Sequence, residues 1–112
     1  MTCLFCSIIA GEIPSDKVYE DETVLAFRDI NPQAPVHVLV IPKKHIESVN
    51  QITSETGGVV ADIFEKIPKI AASLGLEHGY RVITNCGKDA CQSVHHLHFH
   101  LLGGTQLSER MS

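Results

Sequence analysis

Residues 92–102 read Gln-Ser-Val-His-His-Leu-His-Phe-His-Leu-Leu. Within this run His96, His98 and His100 alternate with Leu97, Phe99 and Leu101. A β-strand sends successive side chains to opposite faces, so the pattern predicts a strand with an apolar face on the core and three imidazoles on the other. Same-face neighbours in a strand lie roughly 6.5–7 Å apart. Adjacent rings at that spacing can act together on one small anionic group or one metal ion. Imidazole is also the side chain whose unperturbed pKa lies nearest neutrality. A single buried histidine would read as structural, whereas a row of three reads as chemistry.

The chain has 112 residues, which suits one domain over 1–112. At 44% hydrophobic it can build one core, though a small one, and pairing with a second copy is expected. The formal net charge of −4 argues against binding a nucleic-acid backbone. With no run of about 18 apolar residues and no basic-then-apolar leader, neither a membrane span nor a signal peptide is expected, and the expected location is the cytoplasm. Disulfides among Cys3, Cys6, Cys86 and Cys91 are not expected there.

The rest of the chain supplies partners for the histidine strand. Ser7–Ala10 suits one turn of helix, broken by Gly11 and Pro14. Lys17–Glu20 and Thr23–Asp29 read as two strands around a tight acidic turn. The loop from Asn31 to Pro35 carries two prolines, and Val36–Ile41 is apolar enough for a central strand that Pro42 ends. Ser54 is a candidate helix N-cap. Val59, Ile63, Ile67, Ile70 and Leu74 then mark one helical face, with Pro68 expected to bend or end the helix and Gly75 to stop it. Arg81–Thr84 reads as a strand before the histidine strand. The sum is an α+β domain with a mainly antiparallel sheet and one long helix.

A neutral imidazole is a good nucleophile toward phosphorus, and attack would split one hard displacement into two through a covalent phosphoryl-histidine. His98 is the central ring, with His96 and His100 on either side. His100 can donate to a non-bridging oxygen. Ser93 reaches the same site only if the backbone around Gln92–Val94 turns, and its hydroxyl then meets the bridging atom or leaving group. The polar loop Asn85–Cys91 can offer backbone N–H groups to phosphate, and Asn85 a side-chain bond to a ribose or phosphate oxygen. Two rival readings remain: a metalloprotein with all three histidines as ligands, and a nucleotide-binding or partner-interaction module with little catalysis. At the amino end, Cys3-x-x-Cys6 has the spacing of half a zinc site or of a redox pair.

The run Gln92–Leu101 resembles the His-x-His-x-His-x-x signature of the histidine triad superfamily, where x is apolar. Phe27–His37, Val40–Ile46 and the opening Cys3–Pro14 resemble further stretches of that family, and the short end after Gly104 resembles its Hint branch. The resemblance implies a homodimeric α+β fold, a purine nucleotide site, and hydrolysis of nucleoside 5′-phosphoramidates or related nucleotidyl conjugates. It makes His98 the nucleotidylated nucleophile. His100, Ser93, Asn85 and the backbone of Cys91, Gln92 and Ser93 become phosphate or leaving-group contacts. Asp29 becomes the ribose carboxylate, and Phe5, Ile8, Phe27, Ile30 and Leu39 the apolar walls around the base. Some members complete Cys-x-x-Cys with two histidines that fall on His45 and His96, which implies structural zinc on Cys3, Cys6, His45 and His96. Two positions depart from the family pattern: Cys91 stands where glycine is usual, and His95 where Tyr or Phe is common.

Overall fold

The computed structural model describes residues 3–111. In chain order it comprises α1 (Leu4–Ile9), β1 (Lys17–Glu20), β2 (Val24–Arg28), β3 (Val36–Pro42), α2 (Gly57–Ser73), β4 (Tyr80–Ile83) and β5 (Phe99–Gly103). Single 3-10 turns lie at Val49–Gln51 and Lys88–Ala90. The five strands form one sheet in the order β1-β2-β3-β5-β4, with every ladder antiparallel. None of the described helices is long and apolar enough to cross a membrane.

Strand β3 is central, which explains its nearly unbroken apolar run: both of its faces are covered. Val38 and Val40 join Val24, Ala26, Leu97, Phe99 and Leu101 in a core closed by Ile63, Ile67 and Ile70 of α2. The alternate residues Leu39 and Ile41 pack with Leu25, Phe27, Phe5 and Ile8 on the other face, under α1. The catalytic candidates therefore belong to the α1 side of the sheet. Asp21 holds the β1–β2 turn by accepting the backbone N–H groups of Thr23 and Val24, both at 2.8 Å. Lys66 of α2 reaches the same carboxylate at 2.7 Å and ties the helix to that turn.

Three local expectations are corrected. The N-cap of α2 is Thr56 rather than Ser54, and its hydroxyl serves the preceding turn, accepting from the Thr53 N–H at 2.7 Å. Pro68 does not end α2, which continues to Ser73. Pro68 and Phe64 lie on the exposed side, where water can serve the Phe64 carbonyl that proline leaves unpaired. Burial of Ile67, Ile70 and Ala71 holds the helix on course past that point. The helix then ends as expected at Gly75, whose φ of +76° closes a left-handed cap with Leu76 N–H on the Ala71 carbonyl at 3.0 Å. The third correction concerns α1, which starts at Leu4 because the Cys3 sulfur caps it, accepting the Cys6 N–H at 3.3 Å.

Candidate active site and metal-binding cluster

The histidine row is only partly a strand. Regular pairing starts at Phe99, and Val94–His96 forms a bend. Leu97 N–H bonds the Ile46 carbonyl at 2.6 Å, and the Thr84 hydroxyl donates to the His98 carbonyl at 2.8 Å. These bonds replace a regular ladder and fix the approach to β5. The bend follows Ser93, which is exposed. It also divides the three imidazoles between two clusters.

His98 and His100 stay together, with ring centroids 5.2 Å apart. The His98 Nδ1 lies 2.7 Å from the His96 carbonyl oxygen. A carbonyl can only accept, so Nδ1 carries the proton, and neutral His98 keeps its lone pair on Nε2. His100 is set in the same way from farther off. The Gln33 N–H donates to His37 Nδ1 at 3.0 Å, which leaves the proton of neutral His37 on Nε2. That nitrogen lies 2.9 Å from His100 Nδ1, so His100 accepts there and its own proton sits on Nε2. Asp29 completes the chain, with Oδ2 3.4 Å from His37 Nε2 and Oδ1 accepting the Asn31 N–H at 2.8 Å. The result is a lone pair on one ring and an N–H donor on the next.

His37 is the functional candidate that the sequence reading did not single out. The available signal was its place in β3, where it shares a face with Leu39 and Ile41. Leu39 pairs with His100 across the sheet, which puts His37 diagonally beside His100. That register is a tertiary fact.

Burial holds His100 down to about 4, helped by the neighbouring His98 and His37. Burial also lowers His37, against the opposing pull of Asp29, so the Asp29–His37 contact is not an ion pair at neutral pH. An unfolded imidazole titrates near 6.5, so acidification protonates the unfolded chain first and stability falls as pH drops from about 6.5 toward 4. The His100 share of that loss is expected to be about 2–3 kcal/mol. Urea unfolding at pH 7 and pH 4.5 measures it, and His100→Asn should flatten the difference; an unchanged slope in that variant would refute the assignment.

His96 belongs to the second cluster and is fully buried. Its Nε2–H donates to the Pro42 carbonyl at 2.8 Å, which leaves the Nδ1 lone pair facing Cys3, Cys6 and His45. His96 Nδ1 lies 3.3 Å from Cys3 Sγ, 3.6 Å from Cys6 Sγ and 3.2 Å from His45 Nδ1, and Cys6 Sγ lies 3.3 Å from His45 Nδ1. Tetrahedral bonds of about 2.3 Å to sulfur and 2.0–2.1 Å to nitrogen give nitrogen–nitrogen and nitrogen–sulfur edges of roughly 3.3–3.6 Å. The four residues fit a closed metal site. Burial and the adjacent Cys3 thiol push the Cys6 thiol up to about 11, and a dication between them would reverse that direction.

Asp29, His37 and His100 also converge closely enough to be considered for a metal. The Gln33 bond argues otherwise, because it places a proton on the His37 nitrogen that would have to coordinate. No group of converging ligand atoms among the described residues contains all three triad histidines. The three-histidine metal centre is thereby corrected: the bend sends His96 to the cysteines while His98 and His100 face each other.

The remaining candidates come from α1, β2, β3 and the loops that follow β2 and β4. Phe5 sits edge-on to His98 at 5.1 Å, to His96 at 5.9 Å and to Phe27 at 5.4 Å. Phe5, Ile8, Phe27 and Leu39 form one buried cluster. Ile30 stands apart from it, 93% exposed. Asn85 is half-buried just beyond β4, next to the Thr84 that anchors His98. Gln92 works within the loop: its amide donates to the Glu47 and Val94 carbonyls at 2.7 and 3.1 Å and accepts the Gly87 N–H at 3.0 Å. The backbone N–H groups of Cys91 and Gln92 also bond inward, to the Lys88 and Gly87 carbonyls. They reinforce the loop that presents Ser93.

A family model described as HIT domain matches residues 10–107. The chain belongs to the HIT family. It is 49% identical over 105 residues to an uncharacterized HIT-like protein of Synechococcus elongatus, covering 94% of this chain and 92% of that one. Among solved structures it resembles a HIT family hydrolase from Legionella pneumophila, with TM-score 0.96, 46% identity, and coverage of 99% of this chain and 100% of the other. A histidine triad protein from Clostridium difficile is similar at TM-score 0.94 and 51% identity, covering 98% and 96%.

One local feature of this HIT protein, the backbone at Cys91, is strained. Cys91 has φ 60° and ψ 38°, and it is the one non-glycine with positive φ among the described residues. The left-handed conformation costs an L-residue about 1–2 kcal/mol, which glycine avoids. The thiol is exposed, so the departure strains the backbone rather than crowding the loop. Cys91→Gly is expected to stabilise the fold by about 0.5–1 kcal/mol once the greater unfolded-state freedom of glycine is counted. Calorimetry should show a rise of roughly 2–4 °C in Tm; a fall would mean that the side chain makes a compensating contact.

Proposed function

We propose that this protein hydrolyses purine nucleoside 5′-phosphoramidates or related nucleotidyl conjugates through a nucleotidyl-histidine on His98. The observation that carries the reading is the 2.7 Å bond from His98 Nδ1–H to the His96 carbonyl, which keeps Nε2 unprotonated beside a neighbouring N–H donor on His100. The Nε2 lone pair attacks the α-phosphorus and forms a P–N bond to the ring. The P–N bond to the leaving amine breaks, and its nitrogen takes a proton through the Ser93 hydroxyl, which recovers one from water. His100 Nε2–H stabilises a non-bridging oxygen. Water then attacks phosphorus, releasing nucleoside monophosphate and neutral His98. With the Cys91 and Gln92 N–H groups bonded within the loop, Asn85 and the Ser93 N–H hold the phosphate, Asp29 the ribose hydroxyls, and Phe5, Ile8, Phe27 and Ile30 the purine.

Structural zinc on Cys3, Cys6, His45 and His96 fits the two-sulfur, two-nitrogen donor set. A closed four-ligand site leaves no coordination position for substrate, so the metal contributes stability and the chemistry rests with the protein side chains. Homodimerisation and a cytoplasmic location belong to the same proposal. Its test is incubation of the purified protein with adenosine 5′-phosphoramidate. Release of AMP and ammonia is expected, and nucleotide binding without release would favour a non-catalytic binding module instead.

A further inference from the structure

Two bonds from outside the segment hold the backbone around His98. On its amino side, the Leu97 N–H reaches the Ile46 carbonyl at 2.6 Å. The same peptide group carries the His96 carbonyl that takes the His98 Nδ1–H at 2.7 Å. On the carboxyl side, the Thr84 hydroxyl donates to the His98 carbonyl at 2.8 Å. The direction of the ring depends on how those two peptide groups sit relative to each other, so both bonds bear on where Nε2 points. The Leu97 bond is made by main-chain atoms alone. The Thr84 bond is made by a side chain that takes no part in the displacement itself.

Thr84 stands where the sheet stops. The β4–β5 ladder ends at Ile83, opposite His100. Extending that register by two residues sets Asn85 opposite His98, and there the Thr84 hydroxyl takes over from the ladder. His98 is buried, so an apolar side chain at position 84 would take a donor from a carbonyl with little access to water. Thr84 is itself half-buried, and its β-branched shape suits the extended backbone that follows β4. One bond therefore fixes two things. It holds the main chain of His98, and it sets the separation between His98 and Asn85, the side chain assigned to the phosphate.

We infer that Thr84 is a positioning residue for the displacement: through the His98 carbonyl it keeps Nε2 aimed at the phosphorus that Asn85 helps to hold. The inference rests on the phosphoramidase reading and deepens it. A loosely held nucleophile still lets substrate bind but reaches the attack geometry less often, and a misplacement of about 1 Å can cost about 10²-fold in rate. The effect of Thr84 therefore falls on kcat rather than on KM.

Thr84→Val keeps the shape of the side chain and removes the hydroxyl. With adenosine 5′-phosphoramidate as substrate, kcat should fall about tenfold while KM stays within about twofold of native. Thr84→Ser, which keeps the donor, should retain about half or more of the native kcat. A kcat within about twofold of native in Thr84→Val overturns the inference, as does a serine variant as slow as the valine one, or a rise in KM that accounts for the whole loss. Thr84→Ala gives the same comparison should the valine variant prove unstable. Long-range ¹H–¹⁵N NMR reads the ring independently of turnover. It should show native His98 as the single Nδ1–H tautomer and Thr84→Val as a mixture of both. If the native protein cleaves no phosphoramidate, the hydrolytic reading fails alone and the spectra decide the role of Thr84. One unchanged tautomer in both proteins would then overturn it.

Discussion

Replacing His98 by Asn is expected to lower the turnover of adenosine 5′-phosphoramidate by more than about 10⁴-fold, while AMP still binds. General acid–base chemistry by a histidine is worth about 10²–10⁴-fold, so loss of the nucleophile should exceed that range. The variant keeps Asp29, His37, His100 and the Ser93 loop, none of which depends on the His98 ring for its bonds. Native protein quenched during turnover should carry one nucleotidyl group by intact mass, and His98→Asn none. Activity above a few per cent in the variant would remove His98 from the nucleophile position. Loss of AMP binding along with turnover would show that the ring is also part of the binding wall.

Removing the metal is expected to have the largest effect on stability. Cys3 and Cys6 bracket Phe5 on α1, while His45 follows β3 and His96 precedes β5. A metal on all four joins α1 to the sheet at the place where Phe5 touches both His96 and His98. With free zinc about a thousandfold above Kd, binding to the native state contributes roughly 4 kcal/mol. Chelation, or Cys3→Ser with Cys6→Ser, should therefore lower Tm by roughly 10–20 °C. Because α1 also carries Ile8 into the apolar cluster, the affinity for AMP should fall with it. Metal analysis should find about one zinc per chain in protein prepared without chelator. Substoichiometric metal, with both thiols free to titrate, would refute the site.

The apolar periodicities were legible in advance. Ile63, Ile67 and Ile70 turned inward as their spacing predicts, and Val36–Pro42 became the central strand because its residues suit burial on both faces. The α2 start was not legible. Ser54 and Thr56 are equally good caps in composition, and the choice between them depends on the turn built from Gln51 and Thr53. The passage of α2 through Pro68 was equally hidden, because it depends on a sheet waiting to bury Ile67, Ile70 and Ala71.

For the site, the order of residues along the chain settled which chemistry is available: imidazoles, a neighbouring hydroxyl, a carboxylate and a two-cysteine half-site. Local spacing conveys those identities because side-chain chemistry and strand or helix period are both properties of short segments. Folding decided how the histidines are shared. The bend at Val94–His96 turned one of them toward the cysteines, and cross-strand register brought His37, 63 positions away in sequence, onto His100. Tautomers follow from such long-range hydrogen bonds, so the assignment of lone pair and proton on each ring became readable only when the strands were paired.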